Sequence, residues 1–178
     1  MKNKIKLFDP IIDKSEEQSI IKVLRSKFWA SGSGIGHVKK FENKFKKYID
    51  SKNCVAVNSG TAALNLALSM YDIKNKEVIL PSLSFVATAN AVIQNGGIPK
   101  FVDIDEKTLC IDPKKIIKII SKKTKVILPV HFGGLSSDLL EISNLCKIHK
   151  IHLIEDAAHS AGSSYKNKKI GSHGDLVC

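Results

Sequence analysis

Between Cys54 and Ile154 the chain repeats one pattern: a short apolar run, a turn of small or polar residues, then a stretch with helical periodicity. Apolar runs this short suit strands covered on both faces, and a helix between successive strands is the connection that parallel pairing needs. The pattern predicts an α/β fold, with a mainly parallel sheet and helices on both faces. The expected strands are 54–57, 78–80, 100–104, 126–130 and 151–154, with another beginning at Asp175. The expected helices are 62–70, 86–94, one opened by Asp112-Pro113 with proline at its first position, and 138–149. Asn95-Gly96-Gly97 stops the second of these, and Ser164 to Ile170 reads as a hairpin.

Two helices are expected before this pattern begins. In the first, Asp13 to Lys27, Ser15 and Gln18 have capping-box spacing, and Ile20, Ile21, Val23 and Leu24 form an apolar stripe. In the second, Val38 to Ile49, residues Val38, Phe41, Phe45, Tyr48 and Ile49 share a face. Between them, Phe28 to Gly36 breaks regular structure. Its alternating Gly32, Gly34 and Gly36 lack a preceding strand and do not match a dinucleotide fingerprint, so a flexible loop beside a ligand or partner chain is expected. No internal repeat or linker stands out. The sequence stops inside the apolar run Leu176 to Cys178, so it is expected to be a fragment of a longer domain.

The 178 residues carry a formal charge of +11, which invites a nucleic-acid reading. Its make-up argues against one. Arg25 is the sole arginine, and the lysines are spread over expected helix faces (Lys114, Lys115, Lys118) and turns (Lys166, Lys168, Lys169) without interleaved aromatics. The charge reads as a solvated lysine surface, with no nucleic acid as partner. Cys54, Cys110, Cys146 and Cys178 lack metal-site spacing and suit free thiols in a reducing cytoplasm. His149 and His152 have no third convergent ligand, so no metal is expected. No run reaches membrane-spanning length and the N-terminus lacks a secretory apolar core, which predicts a soluble, cytoplasmic protein.

Ligands of open α/β sheets sit beyond the carboxyl ends of the strands, and three expected strand ends offer complementary groups. The turn Ser59-Gly60-Thr61-Ala62 presents backbone N–H groups and a hydroxyl at a helix N-terminus, which suits an anion; Thr61 serves equally as a helix cap. Phe85 offers a flat face for ring stacking, or is a core aromatic. Asp156 is sited to hold a protonated ring nitrogen, or caps the next helix. His159 is a neutral hydrogen-bond partner for a ligand, or a satisfied buried histidine. An anion site, a ring platform and a ring-nitrogen carboxylate on one sheet edge together match a phosphorylated pyridine ring.

The ordered runs Val57 to Leu64, Leu80 to Thr88, Phe101 to Asp105, Pro129 to Gly134, Ile154 to Ser160 and Gly171 to Asp175 resemble the DegT/DnrJ/EryC1/StrS family of sugar aminotransferases. These are pyridoxal-phosphate enzymes of the aspartate-aminotransferase fold type. The resemblance implies that Gly60, Thr61 and Ala62 hold the cofactor phosphate, that Phe85 stacks on the pyridine ring, and that Asp156 pairs with its nitrogen. It places His159 near the ring hydroxyl and Trp29, Ser31 and Gly32 beside a nucleotide-sugar. It also implies a 1–36 segment of helix and substrate-side loop, followed over 37–178 by most of the cofactor-binding large domain. The family's Schiff-base lysine lies past the Gly-Asp motif, beyond Cys178, and the C-terminal small domain follows it. The implied activity is amino transfer from an amino-acid donor, glutamate, to a nucleotide-linked keto-deoxy sugar, by a homodimer. Relatives with histidine at the lysine position dehydrate the sugar instead, using pyridoxamine phosphate, and an inactive remnant is the non-enzymatic alternative.

Overall fold

The computed structural model describes residues 9–29 and 36–178, and the chain divides into two compact units, Met1–Phe45 and Lys46–Cys178. In the first unit, helix α1 (Lys14–Ser26) is opened by Asp13, whose carboxylate accepts from the Ser15 N–H at 2.6 Å. Glu16 completes the capping box by accepting from the Asp13 N–H at 2.9 Å. The box therefore starts two residues before the expected Ser15–Gln18 pair. A carboxylate and a following Glu both favour the positive end of the helix dipole, and this outweighs the serine. The stripe of Ile20, Ile21 and Leu24 is exposed. Helix α2 (His37–Ile49) runs across the division and stacks Phe41 on Phe45 at 5.5 Å.

The second unit holds helix α3 (Gly60–Ser69), strand β1 (Glu77–Pro81), helix α4 (Val86–Gln94), strand β2 (Ile98–Val102) and helix α5 (Pro113–Ile117). Strand β3 (Thr124–Ile127), helix α6 (Leu139–His149) and strand β4 (His152–Glu155) follow. The chain then forms the hairpin β5 (Ser164–Tyr165) and β6 (Lys168–Lys169), and strand β7 (Leu176–Val177). Lys166 and Asn167 both have positive φ, as the tight two-residue hairpin turn requires. Strands β1, β2, β3, β4 and β7 form one sheet in the order β2-β1-β3-β4-β7, and every pairing in it is parallel.

Alternation along the strands splits the core into two layers. Val78, Leu80, Val126, Leu128 and Ile154 pack with Leu64, Leu68, Ala91 and Val92 of α3 and α4. Ile79, Ile127 and Leu153 point the other way, against Ile116 of α5 and Leu139, Ile142 and Cys146 of α6. Helices thus cover both faces. Each fully buried aliphatic side chain contributes about 1.5–3 kcal/mol, so the two layers dominate the stability of the sheet.

The expected strand at 54–57 is not a strand in the structure, and Val55 is 70% exposed. The strand expected over 100–104 begins two residues earlier, because Pro99 is tolerated in a strand that ends the sheet among the described residues. Its expected end leaves the sheet, with Ile104 bridging Ile111 instead. From β1 the chain steps one way to β2, then returns past β1 to β3 and β4. The order therefore reverses between β1 and β3, and the crevice beyond their carboxyl ends is where such folds bind ligands.

Candidate active site

The segments that flank this crevice are the loop after β1, the loop after β3 and the residues after β4. Asp156 directly follows β4. Its N–H donates to the Pro129 carbonyl at 2.9 Å and its own carbonyl accepts from the His131 N–H at 3.1 Å, extending the parallel pairing past the strands. The side chain is 6% exposed. Its Oδ2 accepts from the Thr88 hydroxyl at 2.8 Å and its Oδ1 from the Ala158 N–H at 3.3 Å. No helix follows before the β5–β6 hairpin, so Asp156 is not a helix cap.

Thr88 is the residue that sequence reasoning missed. It is fully buried in the first turn of α4, and the Ser84 hydroxyl lies 2.6 Å from its own. The sequence signal was a pair of hydroxyl residues at i and i+4 across a strand-to-helix turn. Phe85, between them, occupies the N-cap position of α4 and is 75% exposed. It is not a core aromatic.

Helix α3 lies on the same face of the sheet as α4, since both contribute to one core layer. Tyr71, just past its C-terminus, stacks on His152 at the start of β4 with centroids 4.1 Å apart, so the N-terminus of α3 is directed toward the carboxyl edge. Ser59, not Thr61, is its cap: the Ser59 hydroxyl accepts from the Ala62 N–H at 3.1 Å. Of the three residues expected at a phosphate, Ala62 has its N–H engaged in this way. Thr61 is exposed, and the space where a Cβ of Gly60 would stand contains no atom within 4 Å.

His159 is exposed, not buried. Its Nδ1 accepts from the Gly133 N–H at 3.2 Å, which puts the ring proton of the neutral form on Nε2, and Phe132 meets the ring edge-on at 5.9 Å. Gly134 backs this turn: its φ is +87°, and a Cβ there would stand 3.0 Å from the His159 carbonyl. Trp29 belongs to the first unit, where its indole donates to the Leu24 carbonyl at 3.1 Å. Ser31 and Gly32 lie outside the described residues.

A second polar layer sits beneath the edge. His131 Nε2 and Glu155 Oε2 are 2.8 Å apart and both side chains are fully buried. The Ser137 N–H donates to His131 Nδ1 at 3.1 Å, so the ring proton is on Nε2 and points at the Glu155 carboxylate. The other oxygen of Glu155 accepts from the Gly174 N–H. A Cβ there would stand 2.6 Å from Glu155 Oε1 and 3.0 Å from the Leu153 carbonyl, so any larger residue would displace the buried carboxylate. The neighbouring Asp175 accepts from the Leu153 N–H at 3.0 Å. The run Gly171 to Asp175 thus locks β7 onto β4. A glutamate directly after the apolar pair Leu153-Ile154 was the available signal, since a buried carboxylate demands partners.

Burial pushes the Cys178 thiol up to about 12, and the Asp156 charge adds to the effect, so this cysteine is a neutral packing group. Lys166, Lys168 and Lys169 sit in the hairpin, where Lys169 Nζ lies 3.8 Å from the Tyr48 ring centroid.

Residues 10–178 match the family model described as the DegT/DnrJ/EryC1/StrS aminotransferase family. The chain belongs to this family, whose members are pyridoxal-phosphate-dependent. It is 43% identical over 169 residues to a spore coat polysaccharide biosynthesis protein, SpsC, of Bacillus subtilis, covering 94% of this chain and 43% of that protein. It is 33% identical over 173 residues to a GDP-perosamine synthase of Vibrio cholerae, covering 97% of this chain and 47% of that enzyme. The fold matches that of an E. coli GDP-4-keto-6-deoxy-D-mannose-3-dehydratase with bound hydrated PLP, at a TM-score of 0.86 and 33% identity, over 94% of this chain and 44% of that one. The chain spans less than half the length of these relatives.

Proposed function

We propose that this chain supplies the cofactor-binding part of a pyridoxal-phosphate-dependent aminotransferase. Its acceptor would be a nucleotide-linked keto-deoxy sugar and its amino donor glutamate. The observation that carries the reading is Asp156: a nearly buried carboxylate at the carboxyl edge of a parallel sheet, one strand from its switch point, held by a threonine hydroxyl and one backbone N–H. The GDP-perosamine synthase likeness supports the substrate class.

The residues fit the cofactor. Asp156 would hold the proton on the pyridine nitrogen, and the exposed Phe85 ring would cover one face of the heterocycle. Gly60 and Thr61 would receive the phosphate at the N-terminus of α3, with the engaged Ala62 N–H shaping the turn rather than binding. His159, fixed through Nδ1, would turn its Nε2 toward the ring hydroxyl. The bound group supplies an electron sink for the carbon from which a proton is removed. Proton transfer would fall to a lysine beyond Cys178, as the resemblance implies.

Residues 37–178 would form most of the cofactor-binding large domain, and Trp29, Ser31 and Gly32 the side facing the nucleotide-sugar. Exposed Leu66 of α3, Met70 at its C-cap and Ile93 of α4 support a homodimer, which sedimentation of the intact protein tests. A cytoplasmic location and independence of nucleic acid complete the reading. None of the described helices is long and apolar enough to cross a membrane.

The dehydratase likeness gives a second reading, sugar dehydration at the same cofactor. The residue at the lysine position decides: lysine supports amino transfer, histidine dehydration. Asp156→Ala in the intact enzyme is expected to abolish amino transfer while the fold persists. Near-normal turnover in that variant, by coupled assay of product from glutamate, would remove Asp156 from its assigned role.

A further inference from the structure

We infer that Ser84 and Thr88 form a hydroxyl relay that positions the Asp156 carboxylate for the pyridine nitrogen and ties it to the Phe85 platform. The inference rests on the cofactor reading above and deepens it. The direction of the relay follows from counting protons. A carboxylate only accepts, so the contact of 2.8 Å from Thr88 Oγ1 to Asp156 Oδ2 uses the single proton of Thr88. The Phe85 carbonyl lies 3.2 Å from the same Ser84 oxygen, but two oxygens 2.6 Å apart need a proton between them, so the single Ser84 proton goes to Thr88. Each link polarises the next, and the chain delivers a strengthened donor to one oxygen of Asp156.

Helix formation does not require this hydroxyl. The Thr88 N–H already donates to the Phe85 carbonyl at 3.1 Å, and no other described polar side chain contacts Asp156. Thr88 is β-branched and fully buried, so its χ1 is restricted and the donor direction is fixed. Phe85 lies between the two relay residues in the sequence. A change in the turn that moved its ring would also move Ser84 and loosen the carboxylate. Ser84 and Thr88 are positioning residues: they act on the cofactor only through Asp156.

The test titrates pyridoxal phosphate into the intact protein and into its Thr88→Val, Thr88→Ser, Ser84→Ala and Asp156→Ala variants. Binding is read by absorbance, and ring protonation by the 15N shift of cofactor labelled at the pyridine nitrogen. A thermal melt without cofactor reports on each fold. Thr88→Val keeps the shape and removes the donor. It is expected to weaken binding about tenfold or more, the scale of a hydrogen bond to a charged group, and to move the 15N shift toward the unprotonated ring. Thr88→Ser restores the hydroxyl and is expected to stay within about threefold of wild type, with Ser84→Ala losing about threefold. The relay is overturned if Thr88→Val binds like wild type with a protonated ring. It is also overturned if Thr88→Ser falls as far as Thr88→Val, since the methyl would then be the part that matters. Should Thr88→Val unfold, Ser84→Ala decides alone, and an unchanged 15N shift in it refutes the relay. Failure of the cofactor reading looks different: wild type and Asp156→Ala would then bind equally poorly.

Discussion

The two edges of the parallel sheet each carry a carboxylate that accepts from a threonine hydroxyl, and they differ in what completes the surroundings. At the amino edge, Glu77 Oε2 accepts from Ser121 Oγ at 2.6 Å, Thr124 Oγ1 at 3.0 Å and Lys100 Nζ at 3.1 Å. The Ser121 hydroxyl leads in holding its pKa below the ordinary value of 4.5; partial burial opposes it, and Lys100 and Thr124 add to the lowering. At the carboxyl edge, Asp156 has one hydroxyl and one longer N–H contact, and among the described residues no cation is paired with it. Nearly buried charge with so few partners is costly to stability. The amino edge is electrostatically closed and serves the fold. The carboxyl edge is left one positive partner short, and a protonated ring nitrogen would supply it.

Substitutions test this contrast from its strongest consequence downward. Asp156→Ala is expected to lose essentially all amino transfer and to leave the melting temperature level or raised, because it removes an under-compensated charge. A marked loss of stability in that variant would make Asp156 a second Glu77. His131→Ala breaks the buried pair between the edges and strands Glu155, at a cost of about 3–5 kcal/mol in urea unfolding. Glu77→Ala is expected to cost about 2 kcal/mol with cofactor affinity unchanged, and loss of affinity would erase the distinction between the edges.

The Glu77 contribution also has a pH signature. Its folded pKa is depressed, so the stabilisation is complete above 4.5 and disappears as pH falls through the lower folded value. Wild-type stability should therefore drop over that window by more than that of Glu77→Ala, and parallel curves would remove Glu77 from the account. Smallest of all, Lys169→Ala loses a cation–π contact of about 0.5–1 kcal/mol and no activity. A dead Lys169→Ala enzyme would place a catalytic amine in the hairpin.

The layered sheet was legible because its signals are local. Helix α4 falls on its expected residues, since a strand ending at Pro81 and a stop at Asn95-Gly96-Gly97 bracket it. The places of Asp156 after a strand and of Phe85 and Gly60 at helix starts were legible. What escaped is pairing across the sheet. Thr88 meets Asp156 across 68 residues and His131 meets Glu155 across 24, and no spacing rule spans such distances. Gly174 entered only as part of a family motif, whereas a Cβ there would crowd the Glu155 carboxylate and the Leu153 carbonyl. The 54–57 run shows the opposite error. Apolar content alone does not make a strand, and this run is not one in the structure.

The long reach of the Thr88–Asp156 contact has a consequence in time. The threonine follows β1 and the aspartate follows β4, and β3 lies between those strands in the sheet, so the two cannot meet until three strands are in register. A chain emerging from the ribosome therefore carries Phe85 long before Asp156 has its threonine partner. On the proposed cofactor reading, capture would be a late event, slow in the way non-local topologies are slow, and would act as a check that the central sheet has closed. A ligand that recognises only the finished edge stabilises the native chain by mass action and leaves partly folded chains unaided.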